Sequence, residues 1–261
     1  MRLHAIVAGL LAGASAKSVP HAQPQQILSN PPVHNNDFRI PTWRESTAMA
    51  RKILHLTNLG DLVTAFSEGD QQDGVETLEN RPSAVAGSPI GLMEYYADCD
   101  PGSPVFLSLS VATPYRNYNA GSNISLSIRW WPQRKMTYSM WSDDDDDFST
   151  PHTPVALPRM SLHGHLEPVS QEKMEELSIQ ECFMRSHPDS ALWQPGNPIH
   201  SAKYVQLVVD HVYWLGGFGD RARIGWLPMD MWNNLTMAEI MEAKLPGEKK
   251  HKEKGWWREW L

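Results

Sequence analysis

Residues 124–130 read ISLSIRW, which puts Ile124, Leu126, Ile128 and Trp130 on one side of an extended chain and Ser125, Ser127 and Arg129 on the other. Strict alternation of this kind is the mark of a β-strand with one face in a core and one toward solvent. Further β segments are expected at Asp61–Ser67, Ile90–Ala97, Val105–Ser110, Arg159–Val169, Ala202–Gly216 and Arg223–Leu227. Helical spacing of apolar residues marks Thr42–Asn58, Ser170–Arg185 and Pro228–Met241. Strands at this frequency, interrupted by a few helices, suit a mainly β (α+β) fold: a small antiparallel barrel with helices at its rim. Between the strands, 112–123 (ATPYRNYNAGSN) reads as a turn-rich connection. Residues 132–158 read as an inserted loop holding the acidic run Asp143–Asp147. Adjacent like charges repel and stay solvated, and the run lacks the ordered spacing of a calcium loop.

The chain is 261 residues long with 41% hydrophobic residues, enough for a sizeable core. Its formal charge of −7 argues against a nucleic-acid partner, which would need clustered Lys and Arg. Residues 1–16 (MRLHAIVAGLLAGASA) have the basic start, short apolar run and A-x-A end of a secretory signal peptide cut before Lys17. That run is too short to span a bilayer, and no later run reaches the length of a transmembrane segment. Residues 17–38 form a polar, Pro-rich leader, 39–236 the barrel domain, and 237–261 a charged tail with Trp256, Trp257 and Trp260. The expected route is the secretory pathway, ending outside the cell or in a vacuolar lumen. Asn123-Ile124-Ser125 and Asn234-Leu235-Thr236 are N-glycosylation acceptors on that route. Cys99 and Cys182 are the only cysteines, and an oxidising compartment allows them to pair or to remain separate thiols.

The segment YWLGGFGDRARIGWLP, residues 213–228, contains a G-x-G-x-x-A pattern at Gly217, Gly219 and Ala222. A dinucleotide loop would need a helix to begin at those glycines. The sequence instead runs on as RIGWLP, so a bend between two strands is expected, with glycine supplying the backbone freedom.

Taken in order, the segments at Ala48–Phe66, LSLSVATPYRNYNAGSNISLSI (107–128), MSLHGHLEPV (160–169) and YVQLVVDHVYWLGGFGDRARIGWLP (204–228) resemble the FMN-binding split-barrel, or pyridoxamine 5′-phosphate oxidase-like, superfamily. With the signal peptide and the Asn-x-Thr beyond the last strand, the chain is most similar to the secreted cellular-repressor (CREG-like) branch in its fungal form. The resemblance implies a split antiparallel β-barrel and a homodimer. In flavin-using relatives Arg and Lys on adjacent strands hold the FMN phosphate, a dianion that needs such donors. Here 82–115 contains neither residue, and only Thr113, Arg116 and Asn117 match a Thr-Arg-Asn phosphate motif. Either these three contact FMN, or Arg116 and Asn117 cap a turn. The CREG-like branch is regarded as non-catalytic, so the expectation is a protein without cofactor that binds an unknown ligand or protein. An FMN-dependent oxidoreductase is the alternative, and a haem or tetrapyrrole binder using His163 or His165 is a second one.

His163 and His165 share a strand face, but two imidazoles do not complete a metal site, and His187, His200 and His211 lie far off in sequence. No metal is expected. There is no G-x-S-x-G and hence no serine-nucleophile signature.

Overall fold

A computed structural model describes residues 40–68, 81–131, 154–197, 201–217, 222–246 and 248. The signal peptide, the leader, most of the acidic insertion, the tip of the GGFG segment and the tryptophan-bearing tail lie outside them. Strands β1 (Leu59–Ala65), β2 (Pro89–Tyr95), β3 (Ala97–Asp100), β4 (Ser103–Leu109), β5 (Ile124–Arg129), β6 (Arg159–Pro168), β7 (Ala202–Leu215) and β8 (Ile224–Trp226) form one antiparallel sheet. Its order is β2-β1-β5-β6-β7-β4-β3, with β8 paired to the far end of β7. The fold is the mainly β split barrel expected from the sequence.

Closure of the barrel follows from one residue. β2 and β3 are the two edges of the sheet, yet only Tyr96 separates them along the chain. The sheet must therefore curl until its edges meet at one corner. Tyr96 is fully buried there: its N–H donates to the Asn58 carbonyl at 3.0 Å, its carbonyl is 2.9 Å from His187 Nε2, and its hydroxyl bonds Thr57.

Helix α1 (Trp43–Leu56) begins with a capping box, in which the Thr42 hydroxyl and the Glu45 side chain each meet the other's backbone N–H. It lays Ala50, Ile53 and Leu54 into the core with Leu62, Phe106, Leu126, Leu162, Leu207 and Trp214. A second cluster, Val105, Leu107 and Tyr204 on the other side of the sheet with Ile179 and Phe183, sits beneath the helices that follow β6. Cys99 and Cys182 are joined there as a disulfide, with Cα atoms 5.9 Å apart. It ties β3 to a helix 83 residues further on.

Three local expectations are corrected. The connection 112–123 contains a helix, α2 (Thr113–Asn119): Pro114 occupies its first turn, where a missing N–H costs nothing, and Pro114, Tyr115 and Asn117 are buried. The single helix expected at 170–185 is two, α3 (Gln171–Glu176) and α4 (Ile179–Ser186), separated at Ser178, which takes a left-handed conformation with φ 46°. The single helix expected at 228–241 is likewise two, α5 (Met229–Asn234) and α6 (Met237–Glu242). Thr236 and Glu239 form a second capping box, which starts a new helix instead of continuing the old one.

β7 carries the feature that shapes the outer surface. Val205, Leu207 and Val209 face the core in its first part, but Val212 and Trp214 do so in its second, so the inward parity changes from odd to even. The pairing shows why. His163 of β6 lies opposite His211 while Gly164 lies opposite Val209, leaving Asp210 as an extra residue in β7. Such a β-bulge lets one long strand keep both halves against the same core. Gly164 makes the bulge feasible, because a Cβ there would sit 1.8 Å from the Val208 carbonyl oxygen.

The GGFG segment joins β7 to β8, which pair antiparallel from Tyr213↔Trp226 to Leu215↔Ile224. No helix starts after it, so the pattern belongs to a hairpin connection and not to a dinucleotide loop; residues 218–221 themselves lie outside the described set.

Candidate functional site

Among the described residues two places on the barrel have the chemistry to hold a ligand. The first is α2, where the sequence places Thr113, Arg116 and Asn117. Helical geometry separates them: residues at i and i+1 point about 100° apart, so Arg116 and Asn117 leave this helix in different directions. Asn117 is 7% exposed and its Nδ2 donates to Thr64 Oγ1 at 3.1 Å, inside the barrel against β1. Its backbone carbonyl accepts from the N–H groups of Ala120 and Ser122, closing the end of the helix. Thr113 and Arg116 are half-buried and have partners of their own. An FMN phosphate needs several convergent donors. Asn117 is withdrawn from that set, so the three residues do not fit the phosphate of a flavin as a triad.

The same interior corner holds two further polar groups. Tyr115 is 3% exposed and its hydroxyl finds no hydrogen-bond partner among the described residues. Glu94 of β2 is desolvated, which pushes its carboxyl up to about 7.

The second place is the outward face at the β7 bulge. A cavity of about 480 Å³ is lined by Asn123, Ile124, His163, Gly164, Asp210 and His211. Strand alternation explains its polarity: Ile124 turns into the core, so Asn123 and Ser125 turn outward. Ser125 lies opposite His163 in the β5–β6 ladder, and His163 opposite His211 in the β6–β7 ladder, giving a continuous polar row across three strands. The bulge adds Asp210 to the same surface, exposed beside His211.

Aromatic rings wall one side of the row. Trp226 of β8 is 56% exposed, with its ring centroid 5.5 Å from that of His163, 6.1 Å from His211 and 5.1 Å from Tyr213. Burial, and secondarily the proximity of His211, lowers the pKa of His163, so its imidazole stays neutral near pH 7 and can both donate and accept. His165 behaves differently: hydrogen-bonded to Asp210 at 3.2 Å and to Glu167 at 3.3 Å, it is shifted upward toward the charged form.

His163 and His165 therefore share a face as expected, but they have different partners. The fold also brings His211 opposite His163, although 48 positions separate them in sequence. His187 is elsewhere, buried against Tyr95 and Phe183. Among the described residues no group of three or more His, Cys, Asp or Glu side chains is placed to hold a metal ion. Asn123 and Asn234 are both exposed, and Asn234 ends α5 with Nδ2 donating to the Asp230 carbonyl at 2.7 Å.

Sequence reasoning missed Asp210, His211 and Trp226 as parts of one site. The signal was present in AKYVQLVVDHVYWL, where the inward parity changes within one strand and so announces a bulge.

No curated protein is matched in sequence. Solved structures that resemble the fold include a heme binding protein from Mycobacterium smegmatis, at a TM-score of 0.48 and 21% identity over 74% of this chain. This chain spans 61% of the length of that protein. HutZ, the heme storage protein from Vibrio cholerae, matches at 0.40 and 10% identity, covering 63% of this chain and 90% of the other. An FAD-binding protein from Mesorhizobium loti matches at 0.37 and 12% identity, covering 62% and 87%. The family model described as CREG, beta-barrel matches residues 41–234, which take in every strand and all the residues of both sites. The chain belongs to the CREG β-barrel family.

Proposed function

We propose that this chain is a glycoprotein of the secretory pathway, extracellular or vacuolar, that assembles as a homodimer and acts by binding a ligand or protein, not by flavin catalysis. The observation that carries this reading is the Asn117–Thr64 hydrogen bond. It turns the one amide of the phosphate motif into a core contact and leaves α2 short of the donors that a dianion requires. The binding face is the polar row at the β7 bulge, where neutral and charged side chains converge beside an exposed indole. Absorbance of the native secreted protein tests the proposal. A colourless protein unresponsive to added FMN is expected, and a bound chromophore with a band near 450 nm would overturn it.

A second reading has its own observation. His163 is held neutral, lines a cavity and lies against Trp226, so it would be the residue to offer an imidazole nitrogen to the iron of a haem, with Trp226 offering an apolar surface beside it. A Soret band that disappears in His163→Ala would favour haem over the cofactor-free reading. Light scattering at micromolar concentration checks the dimer, for which a monomer mass is the opposing result.

A further inference from the structure

The acceptor Asn123 and the outward cavity are the same place. Asn123 belongs to the Asn-Ile-Ser acceptor and also lines the cavity with His163, Asp210 and His211. Its neighbour Ile124 is anchored in the core, and the Ser122 hydroxyl accepts from the Ala65 N–H at 2.8 Å and donates to the Asn123 carbonyl at 2.6 Å. The backbone at the attachment point is thus fixed, and a sugar on Asn123 Nδ2 starts at the cavity wall, not on a swinging loop.

We infer that the glycan on Asn123 lies in this cavity, its first sugar between His163, Asp210 and His211 and against Trp226, and so controls access to the binding face. The inference rests on the secretory reading given above. The chemistry of the wall suits it. An N-acetylglucosamine ring has hydroxyl and amide groups around its edge and a C–H face above and below. Asp210 accepts hydrogen bonds from hydroxyl groups, and a neutral His163 both donates and accepts. The indole of Trp226 offers an apolar body to the ring face. Asn234 makes a contrasting acceptor: it sits at the end of α5, away from the cavity's lining.

The test uses the full chain secreted from a eukaryotic host, with the glycans mapped by peptide mass spectrometry. Diethyl pyrocarbonate is the probe, because it modifies accessible neutral imidazoles, and His55, on α1, is the internal reference. With the Asn123 glycan in place, His163 and His211 are modified several-fold more slowly relative to His55 than in Asn123→Gln or after enzymatic removal of the glycan. Asn234→Gln leaves the ratio unchanged. Equal ratios with and without the Asn123 glycan overturn the inference. So does a secreted protein whose Asn123 is bare, and that result leaves the secretory reading standing. A chain retained in the cell with residues 1–16 attached and neither acceptor modified sinks both.

Discussion

Asn117 Nδ2 donates to Thr64 Oγ1 at 3.1 Å, and both residues are almost fully buried, at 7% and 3% exposure. The bond holds α2 against β1 across the interior. A residue whose sequence neighbours suggest phosphate contact is thereby a structural cross-link. Replacing Asn117 by Ala leaves the Thr64 hydroxyl buried without its donor, a loss of about 1–3 kcal/mol. Urea unfolding of Asn117→Ala should show it as a lower midpoint with an unchanged slope. Arg116→Ala, half-buried on the same helix, should cost less. Equal stability of Asn117→Ala and the parent protein would refute the structural role.

The Cys99–Cys182 bond closes a long loop, with a sequence separation of 83, and fastens α4 over the β3 edge of the sheet. In the chain-entropy description a loop of that length stabilises by roughly 4 kcal/mol. The double variant Cys99→Ser/Cys182→Ser should lose most of that in denaturant titration. Proteolysis in the native state should then open first in 171–193, because α3, α4 and the turn after them lean on the second cluster.

Gly164 faces the backbone of β7 where the bulge brings the strands closest. A methyl group there would overlap the Val208 carbonyl oxygen, and backbone atoms cannot swing aside as a side chain can. Gly164→Ala should destabilise by on the order of 3 kcal/mol. It should also separate Asp210 from His165. The pKa of His165, raised by that hydrogen bond, should move back toward its ordinary value in a proton NMR titration. A Gly164→Ala protein as stable as the parent would mean that the bulge can be relieved.

Much of this molecule can be read in its residues. The ISLSIRW alternation places every side chain of β5 on its correct face, because a strand with one wet and one dry side leaves no freedom of register. The start of α1 is announced by a Thr-x-x-Glu box, which satisfies local backbone groups and needs no tertiary partner, whereas the same box at Thr236, which starts α6, falls inside the single helix expected at 228–241. α2 escaped because its seven residues are rich in turn formers, and burial of Tyr115 and Asn117, not helix propensity, holds them helical. The outward site was only half legible. His163 and His165 share one strand and one face, whereas His211 reaches the site through its ladder pairing with His163, far away in sequence, and Trp226 through the β7–β8 hairpin opposite Tyr213. A one-residue bulge decides which of them point outward.

Glu94 gives the protein an alkaline weakness. Burial raises its carboxyl from 4.5 to about 7, because desolvation disfavours the charged carboxylate. The folded value lies above the unfolded one, so its contribution is fully present below pH 4.5 and is lost as pH rises through 7. Glu94→Gln removes the ionisation and should stabilise the protein at pH 8 by on the order of 2 kcal/mol, allowing for solvent screening of a partly exposed group. The advantage should shrink on acidification and vanish below pH 4.5. His163 acts with the opposite sign. Its pKa is depressed by burial and by His211, so its contribution is present above 6.5 and is lost as pH falls. The parent protein should therefore show a stability maximum on the acidic side of neutrality, and Glu94→Gln should keep its acid limb while flattening the alkaline one. Thermal unfolding midpoints from pH 4 to pH 9 decide it: parallel curves for the two proteins would mean that Glu94 titrates as an ordinary surface carboxylate.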